Sequence, residues 1–300
     1  MSFKKVLKKA YLCLYRYGVF NWIPSDIFIK IQYRMATGKK LNISCPKTFN
    51  EKIQWLKIYD RNPIYGIIAD KYKVRKYIAE KVGEKYLVPL LGVWDSPDEI
   101  NIDELPNEFV LKNNHDSGGV FICKNKEEFQ IDRIKRLLYK RMKTNYYDVS
   151  REWSYKNIER RIIAEKYLID KKLGELRDYK FFCFAGEPKY VQVDFDRFTN
   201  HKRNIYDLDW NFIDLKIKCP NDSKKIIERP IHFKEMLDVA RKISADMPQL
   251  RVDLYEVDGR VYFGEATVYH GGGFEEFTPS YFELEWGKLI DLSFAKDSKA

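Results

Sequence analysis

Along the first sixty positions apolar residues recur at intervals of three and four. Phe3, Val6, Leu7, Ala10, Tyr11 and Leu14 make one stripe, with Lys4, Lys5, Lys8 and Lys9 on the other face, which predicts a basic amphipathic helix near the N-terminus. After Pro24 and Ser25, the positions Ile27, Phe28, Ile31 and Met35 continue a second helix that Gly38 stops, and a third is expected over 49–59. A fourth is expected over 66–82, ending at Gly83 and followed by a strand-like piece over 86–93. The period then shortens. Phe109-Val110-Leu111-Lys112 and Val120-Phe121-Ile122-Cys123 read as strands joined by the polar loop 113–119, a charged helix follows over 126–143, and 161–168 reads as another strand. Two hairpins follow, 179–184 with 190–195 across Ala185-Gly186-Glu187-Pro188, and 252–257 with 260–268 across Asp258-Gly259. A helix over 233–245 separates them. This order predicts an α+β fold. The expected divisions are a basic helical segment over 1–60, a leading region over 61–104, a small lid over 105–168 and a larger antiparallel core over 169–300.

Composition narrows the class. With 300 residues and 45% apolar content the chain can bury a substantial core, which sets aside disordered and fibrous classes. No apolar run approaches the ~18 to 20 residues of a membrane-spanning helix. The lysine-threaded start does not read as a signal peptide. Cys13, Cys45, Cys123, Cys183 and Cys219 are odd in number, with no Cys-x-x-Cys pair, and suit reduced thiols in a cytoplasmic setting. Charge changes the picture most at one end. Residues 1–40 hold nine Lys or Arg against Asp26, so +8 of the net +10 lies there and the body is nearly balanced. That argues against a nucleic-acid channel and leaves two readings for the N-terminal segment: contact with an anionic membrane, or packing on the body with the lysines solvated.

Three constellations carry chemistry. Lys112 ends a strand before Asn113-Asn114-His115-Asp116-Ser117-Gly118-Gly119, and a fixed cation beside glycines suits a polyphosphate, although an ordinary hairpin turn is the simpler reading of these residues alone. Neither a P-loop nor a dinucleotide fingerprint is present. In the last hairpin, a three-residue loop over 257–259 would pair 256 with 260 and bring Arg251, Asp253, Glu265 and Thr267 to one face, a hard-oxygen set suited to Mg²⁺. A two-residue turn would instead separate Asp253 from Glu265. Lys180 sits in the apolar run 179–184, where it must either meet an anion or snorkel. His115 and His270, beside glycines, are expected at most to touch substrate, and Arg197, His201, Lys202 and Arg203 either meet an acidic substrate or form a solvated basic turn.

Taken in order, the blocks Lys47-Thr48-Phe49-Asn50-Glu51-Lys52, Ala69-Asp70-Lys71-Tyr72, Phe109 to His115, Arg151-Glu152-Trp153, Ala164 to Leu168, Asp178 to Phe182, Arg251 to Tyr255 and Phe263-Gly264-Glu265 resemble the TupA-like ATP-grasp family of cell-surface polysaccharide biosynthesis. The resemblance implies an ATP-grasp fold, two α+β subdomains clasping ATP. It implies that Lys71 and Lys112 hold the ATP phosphates under a mobile loop of Asp116, Ser117, Gly118 and Gly119, with His115 beside it at the nucleotide. Glu165, Lys166, Tyr167 and Leu168 would read adenine, with Asp178 also at the nucleotide. Asp253 and Glu265 would bind Mg²⁺, with Thr267 where many relatives carry asparagine. Arg251, with Lys180, would act on the transferring phosphoryl group. The implied reaction is carboxylate–amine ligation with release of ADP and phosphate, the carboxylate belonging to a sugar acid or amino acid. Two other readings stand beside it: a metal-dependent glycosyltransferase using Asp194-Phe195-Asp196, and a non-enzymatic basic adaptor at a membrane.

Overall fold

The computed structural model describes residues 19–171, 173–196 and 200–296. The expected N-terminal basic helix therefore lies outside the described residues, as does Arg197.

Helix α1 spans Ser25–Thr37 and stops where Gly38 turns left-handed (φ 74°) and returns its N–H to Arg34. Helix α2, Phe49–Tyr59, opens on a reciprocal cap: Thr48 accepts from the Glu51 amide while the Glu51 carboxylate accepts from the Thr48 amide. The single helix expected over 66–82 is two, α3 (Ile64–Ala69) and α4 (Val74–Lys81). Asp70 breaks it, because its Oδ1 accepts from the amides of Tyr72 (2.9 Å) and Lys73 (3.2 Å) and so offers the backbone a turn in place of helix. The strand expected over 86–93 starts late, at β1 (Leu90–Trp94), after a 3-10 turn over Glu84–Tyr86.

Strands β1, β2 (Phe109–Asn113), β3 (Val120–Cys123) and β4 (Ile162–Lys166) form an antiparallel sheet in the order β1-β4-β2-β3. Two helices cross between β3 and β4, α5 (Ile131–Met142) and the short α6 (Tyr146–Ser150). The expected helix over 126–143 is thus α5 preceded by a 3-10 turn over Lys126–Glu128. Leu138 of α5 packs with Phe109, Leu111, Ile162 and Ala164 as a core of its own.

The second sheet is larger, with order β11-β10-β5-β6-β7-β8: β5 Asp178–Phe184, β6 Glu187–Phe195, β7 Lys202–Tyr206, β8 Phe212–Ile213, β10 Gln249–Val257 and β11 Arg260–Thr267. A two-stranded ladder joins β9 (Lys216–Ile217) to β12 (Phe277–Thr278). Helix α7 (Phe233–Ser244) lays Phe233, Met236, Val239, Ala240 and Ile243 into one core with Phe181, Cys183, Val191, Val252 and Leu254, all of one face of the sheet. On the other face, Trp286 of helix α8 (Tyr281–Leu289) is fully buried against Phe182, Phe184, Tyr190 and Phe49. Burying an aromatic of that size stabilises the fold by about 3 kcal/mol or more. The aromatic cover of Trp286 ends at Phe182, and Lys180, Gln192, Arg251, Asp253 and Thr267 follow it on that face.

Candidate active site

The polar end of the large sheet is organised by cross-strand register. Asp253 pairs with Glu265 on one side and Lys180 on the other, and Lys180 pairs with Gln192. One row away, Arg251 pairs with Thr267, and Asp178 with Tyr255 and Asp194. The four residues Arg251, Asp253, Glu265 and Thr267 therefore share a face, but not through a three-residue loop. Val257 pairs with Arg260 across a two-residue turn whose central residues, Asp258 (φ 49°) and Gly259 (φ 73°), are both left-handed. A bulge supplies the missing residue: Leu254 pairs with Phe263 while Asp253 pairs with Glu265, leaving Gly264 between. The first hairpin is corrected in the same way. Its turn is Ala185-Gly186 alone, so Glu187 and Pro188 belong to β6.

The buried cations meet anions. Lys180 bonds Asp178 and Asp253 (2.6 Å to Asp253 Oδ2) and does not snorkel. Arg251 grips Asp253 bidentately, both contacts at 2.7 Å. Burial would raise the Asp253 pKa, but Arg251 and Lys180 overcome it and hold the carboxyl below the usual range. A third Arg251 contact runs from Nη1 to His270 Nδ1 (2.9 Å), whose Nε2 lies 3.0 Å from Glu275. The arginine can only donate, so Nδ1 carries the lone pair and the imidazole is neutral, in agreement with a pKa lowered chiefly by burial. The guanidinium is thus held from two sides.

Across from this face lies the small sheet. Lys112 and Glu165 share a face of β2 and β4 and join at 2.6 Å, with Arg75 of α4 3.3 Å from the same carboxylate. Lys71 stands in the turn made by Asp70. Its amide bonds the Asn114 carbonyl (3.0 Å) and its ammonium the Asp116 carbonyl oxygen, and burial lowers its pKa against the opposing pull of Glu265. Lys71, Lys112, Glu165, Arg75, Glu265 and Phe263 line one open cleft between the two sheets.

The remaining anticipated residues are placed around it. His115 is buried at the root of its loop, its ring nitrogens 3.4 Å from Asn114 Oδ1 and the Arg141 carbonyl, and it does not line the cleft. Asp116 would repel phosphates, but its carboxylate is tied to Arg141, which also bonds the Ser117 carbonyl (2.9 Å), as does the Tyr146 hydroxyl (3.0 Å). Gly118 is left-handed (φ 80°), and Gly119 packs so tightly on Arg141 that a Cβ would fall 2.3 Å from its Nε. Lys166 ends β4 with its amide on the Pro89 carbonyl (2.9 Å), Tyr167 follows, and Leu168 is buried with Val88 and Val257. Arg203 and Lys202 are not open to an acidic substrate: Arg203 bonds Asp194 (2.7 Å) and reaches Glu275 (3.6 Å), while Lys202 pairs with Asp222. His201 Nε2 lies 3.5 Å from Asp194. Asp194 is consequently the centre of an ion cluster, and Asp196 follows beyond the strand end in a left-handed conformation (φ 51°).

Sequence reasoning missed Glu275 and the way His270 joins it to Arg251, and it missed Lys57, which is buried on the Gly272 carbonyl (2.6 Å). The run Gly271-Gly272-Gly273, left-handed at all three positions, was the available signal, since Lys57 and Gln54 of α2 both bind it.

A family model described as TupA-like ATPgrasp matches residues 51–291. The chain belongs to that family. Its ATP-grasp fold has solved counterparts: D-alanine--D-alanine ligase from Bacillus anthracis complexed with ATP (18% identity, TM-score 0.41, covering 74% of this chain and 63% of that one) and from Helicobacter pylori (13%, 0.40, 81% and 67%). N5-carboxyaminoimidazole synthetase from Staphylococcus aureus complexed with ADP is another (13%, 0.41, 67% and 45%). The chain spans less than two thirds of the length of the Bacillus anthracis and Staphylococcus aureus enzymes. No curated protein matches it by sequence.

The donor set can be tested against Mg²⁺. Among the described residues no three His, Cys, Asp or Glu side chains converge on one point. Asp253 and Glu265 nevertheless stand directly opposite each other; Arg251 and Lys180 already offset the charge of Asp253, so Glu265 is the carboxylate that a further cation would neutralise. Glu265 takes a hydroxyl from Thr267 (3.3 Å) and makes no ion pair among the described residues. Mg²⁺ is commonly held by one or two carboxylates while keeping waters and phosphate oxygens, so the pair fits it.

Proposed function

We propose that the protein is an ATP-dependent ligase that joins a carboxylate to an amine, releasing ADP and phosphate. One observation carries the reading: Lys71, Lys112 and Glu165 share a cleft with Glu265, whose neighbours on the sheet are Asp253 and Arg251. Lys71 and Lys112 bind the phosphates, which displace Glu165 from Lys112 and the Asp116 carbonyl from Lys71. Glu165, then held by Arg75 alone, turns to the nucleoside beside the backbone of Lys166, Tyr167 and Leu168. Asp253 and Glu265, with Thr267, would hold Mg²⁺, which when bound neutralises charge on the phosphates. A carboxylate oxygen of the acceptor attacks the terminal phosphorus and ADP leaves. The amine nitrogen then attacks the acyl carbon, loses a proton and expels phosphate. Arg251 stabilises the charge on the transferring group, and because Asp253 and His270 hold it, little reorganisation is needed at the moment of transfer. Lys180 fixes Asp178 and Asp253 as the floor of the site.

The substrate class that the family likeness supports is a sugar-acid or amino-acid carboxylate used in a cell-surface polymer, with the reaction in the cytoplasm. The test is thermal stability with ATP, ADP, GTP and UDP-sugars, with and without Mg²⁺, for the wild type and Lys112→Ala. Adenine-specific, Mg²⁺-dependent stabilisation that Lys112→Ala abolishes is expected, followed by ADP release when uronic acids and amines are supplied together. Stabilisation by UDP-sugars alone would transfer the assignment to glycosyl transfer at Asp194. No shift with any nucleotide would sink it.

A further inference from the structure

We infer that α1 and the residues leading into it form a docking face for an anionic membrane surface. Most surface helices bury one apolar stripe and turn polar residues outward. Helix α1 carries two stripes. Phe28, Ile29 and Tyr33 are buried with Leu41, Ile58 and Val149 in a small core that pins the helix to the body, helped by a Ser25 to Tyr147 hydroxyl contact of 3.0 Å. On the outer side Ile27, Ile31 and Met35, spaced by four, remain 47, 45 and 53% exposed, and Trp22 just before the helix is 79% exposed. The outer stripe thus runs for just over two turns with no covering element among the described residues.

The charge around it selects the partner. Lys30, Arg34, Lys39 and Lys40 border the stripe, and Arg34 and Lys40 make no ion pair among the described residues. Lys30 shares Asp26 (3.2 Å) through an exposed contact of little strength, and Lys39, itself exposed, reaches the buried Glu283 (3.4 Å). The +8 charge of residues 1–40 lies on the same stretch of chain. A second copy of the protein would bring an equal positive charge to the stripe, and a nucleic acid would leave the isoleucines and the tryptophan with nothing apolar to cover them. An anionic lipid surface satisfies both halves: apolar side chains enter the headgroup boundary while the lysines and arginines meet lipid phosphates, each contributing an attraction that falls off within a Debye length. The inference does not rest on the ligase reading.

Co-sedimentation of the full-length protein with vesicles tests it. Binding is expected to vesicles of phosphatidylglycerol and phosphatidylcholine and not to phosphatidylcholine alone, and to weaken with added salt. Ile31→Glu with Met35→Glu is expected to lower the partition coefficient at least ~10-fold, and Arg34→Gln with Lys40→Gln about tenfold. Ile226→Glu, at a loop position 88% exposed, leaves it unchanged. Equal binding of wild type and the Ile31/Met35 double variant would overturn the inference, as would no binding to anionic vesicles, binding to both vesicle types alike, or a stripe that instead drives dimerisation. Thermal stability of each variant with and without ATP reports its fold and its nucleotide site separately, so failure here is distinguishable from failure of the ligase reading.

Discussion

Lys57 shows how much a single buried charge can govern. Its ammonium is enclosed between the Gly272 carbonyl (2.6 Å) and the Phe274 ring (4.5 Å to the centroid), and burial lowers its pKa to about 8 from 10.5, with Glu152 pulling the other way. The sign of the consequence follows from proton counting. Between these two values the unfolded chain holds the proton and the folded one has released it, so this contribution to stability grows as pH rises and is flat below about 8. From about pH 7 to about pH 9.5 the wild type should gain ~2 kcal/mol relative to Lys57→Met. Urea unfolding of both proteins at each pH checks this, and a difference that stays constant would mean that Lys57 is no less basic in the folded state. Because Lys57 and Gln54 hold the glycine run that follows His270, the same side chain also supports the residue that holds Arg251.

At the scale of an element, the bulge in β11 is what makes the site. With the two-residue turn at Asp258-Gly259 and no bulge, Glu265 would face away from Asp253. Gly264 gives the bulge room: a Cβ there would lie 2.6 Å from Cζ of Tyr255. Gly264→Ala should cost about 1–3 kcal/mol, because the Tyr255 ring must shift or the bulge must flatten. The same variant should weaken Mg²⁺–ATP stabilisation while leaving α7 and its core intact. Unchanged nucleotide response in a folded Gly264→Ala protein would show that the alignment of Glu265 with Asp253 is not needed. This hairpin also marks how far the sequence could be read. Strand identity, the pairing of the four polar residues and the α+β class were legible from alternation, but the device that aligns them was assigned to the loop when it lies in the strand. Asp70 hid in the same way, since its neighbours keep helical spacing and only its side-chain bonds to the Tyr72 and Lys73 amides reveal the break. Arg203 and Glu275 were harder still. They bring strand β7 to the loop before β12, far apart in sequence, and no local pattern encodes that contact.

On the scale of the whole molecule, the cleft joins two bodies with separate cores, one around α5 and the small sheet, the other around α7 and the large sheet. What connects them near the cleft is the Leu87 to Phe263 bridge, a small cluster of Val88, Leu168 and Val257, and the polar ties of the α3–α4 region, Lys71 to Asn114 and Arg75 to Glu165. The small-sheet wall is closed on itself through Lys112 and Glu165, while Glu265 on the opposite wall makes no ion pair among the described residues. A polyphosphate with Mg²⁺ would engage both walls at once, so its binding energy is available to hold the two sheets together. At a hundred times its Kd it should add about 2.7 kcal/mol to the folded state. If the ligand bridges the cleft, amide exchange should slow on both sides together, at Lys112 to Asn114 and at Phe263 to Ala266. Exchange in α1, remote from the cleft lining, should not change. Slowing confined to one wall would mean that the ligand sits on a single sheet and that the charges gathered on the other serve only the fold.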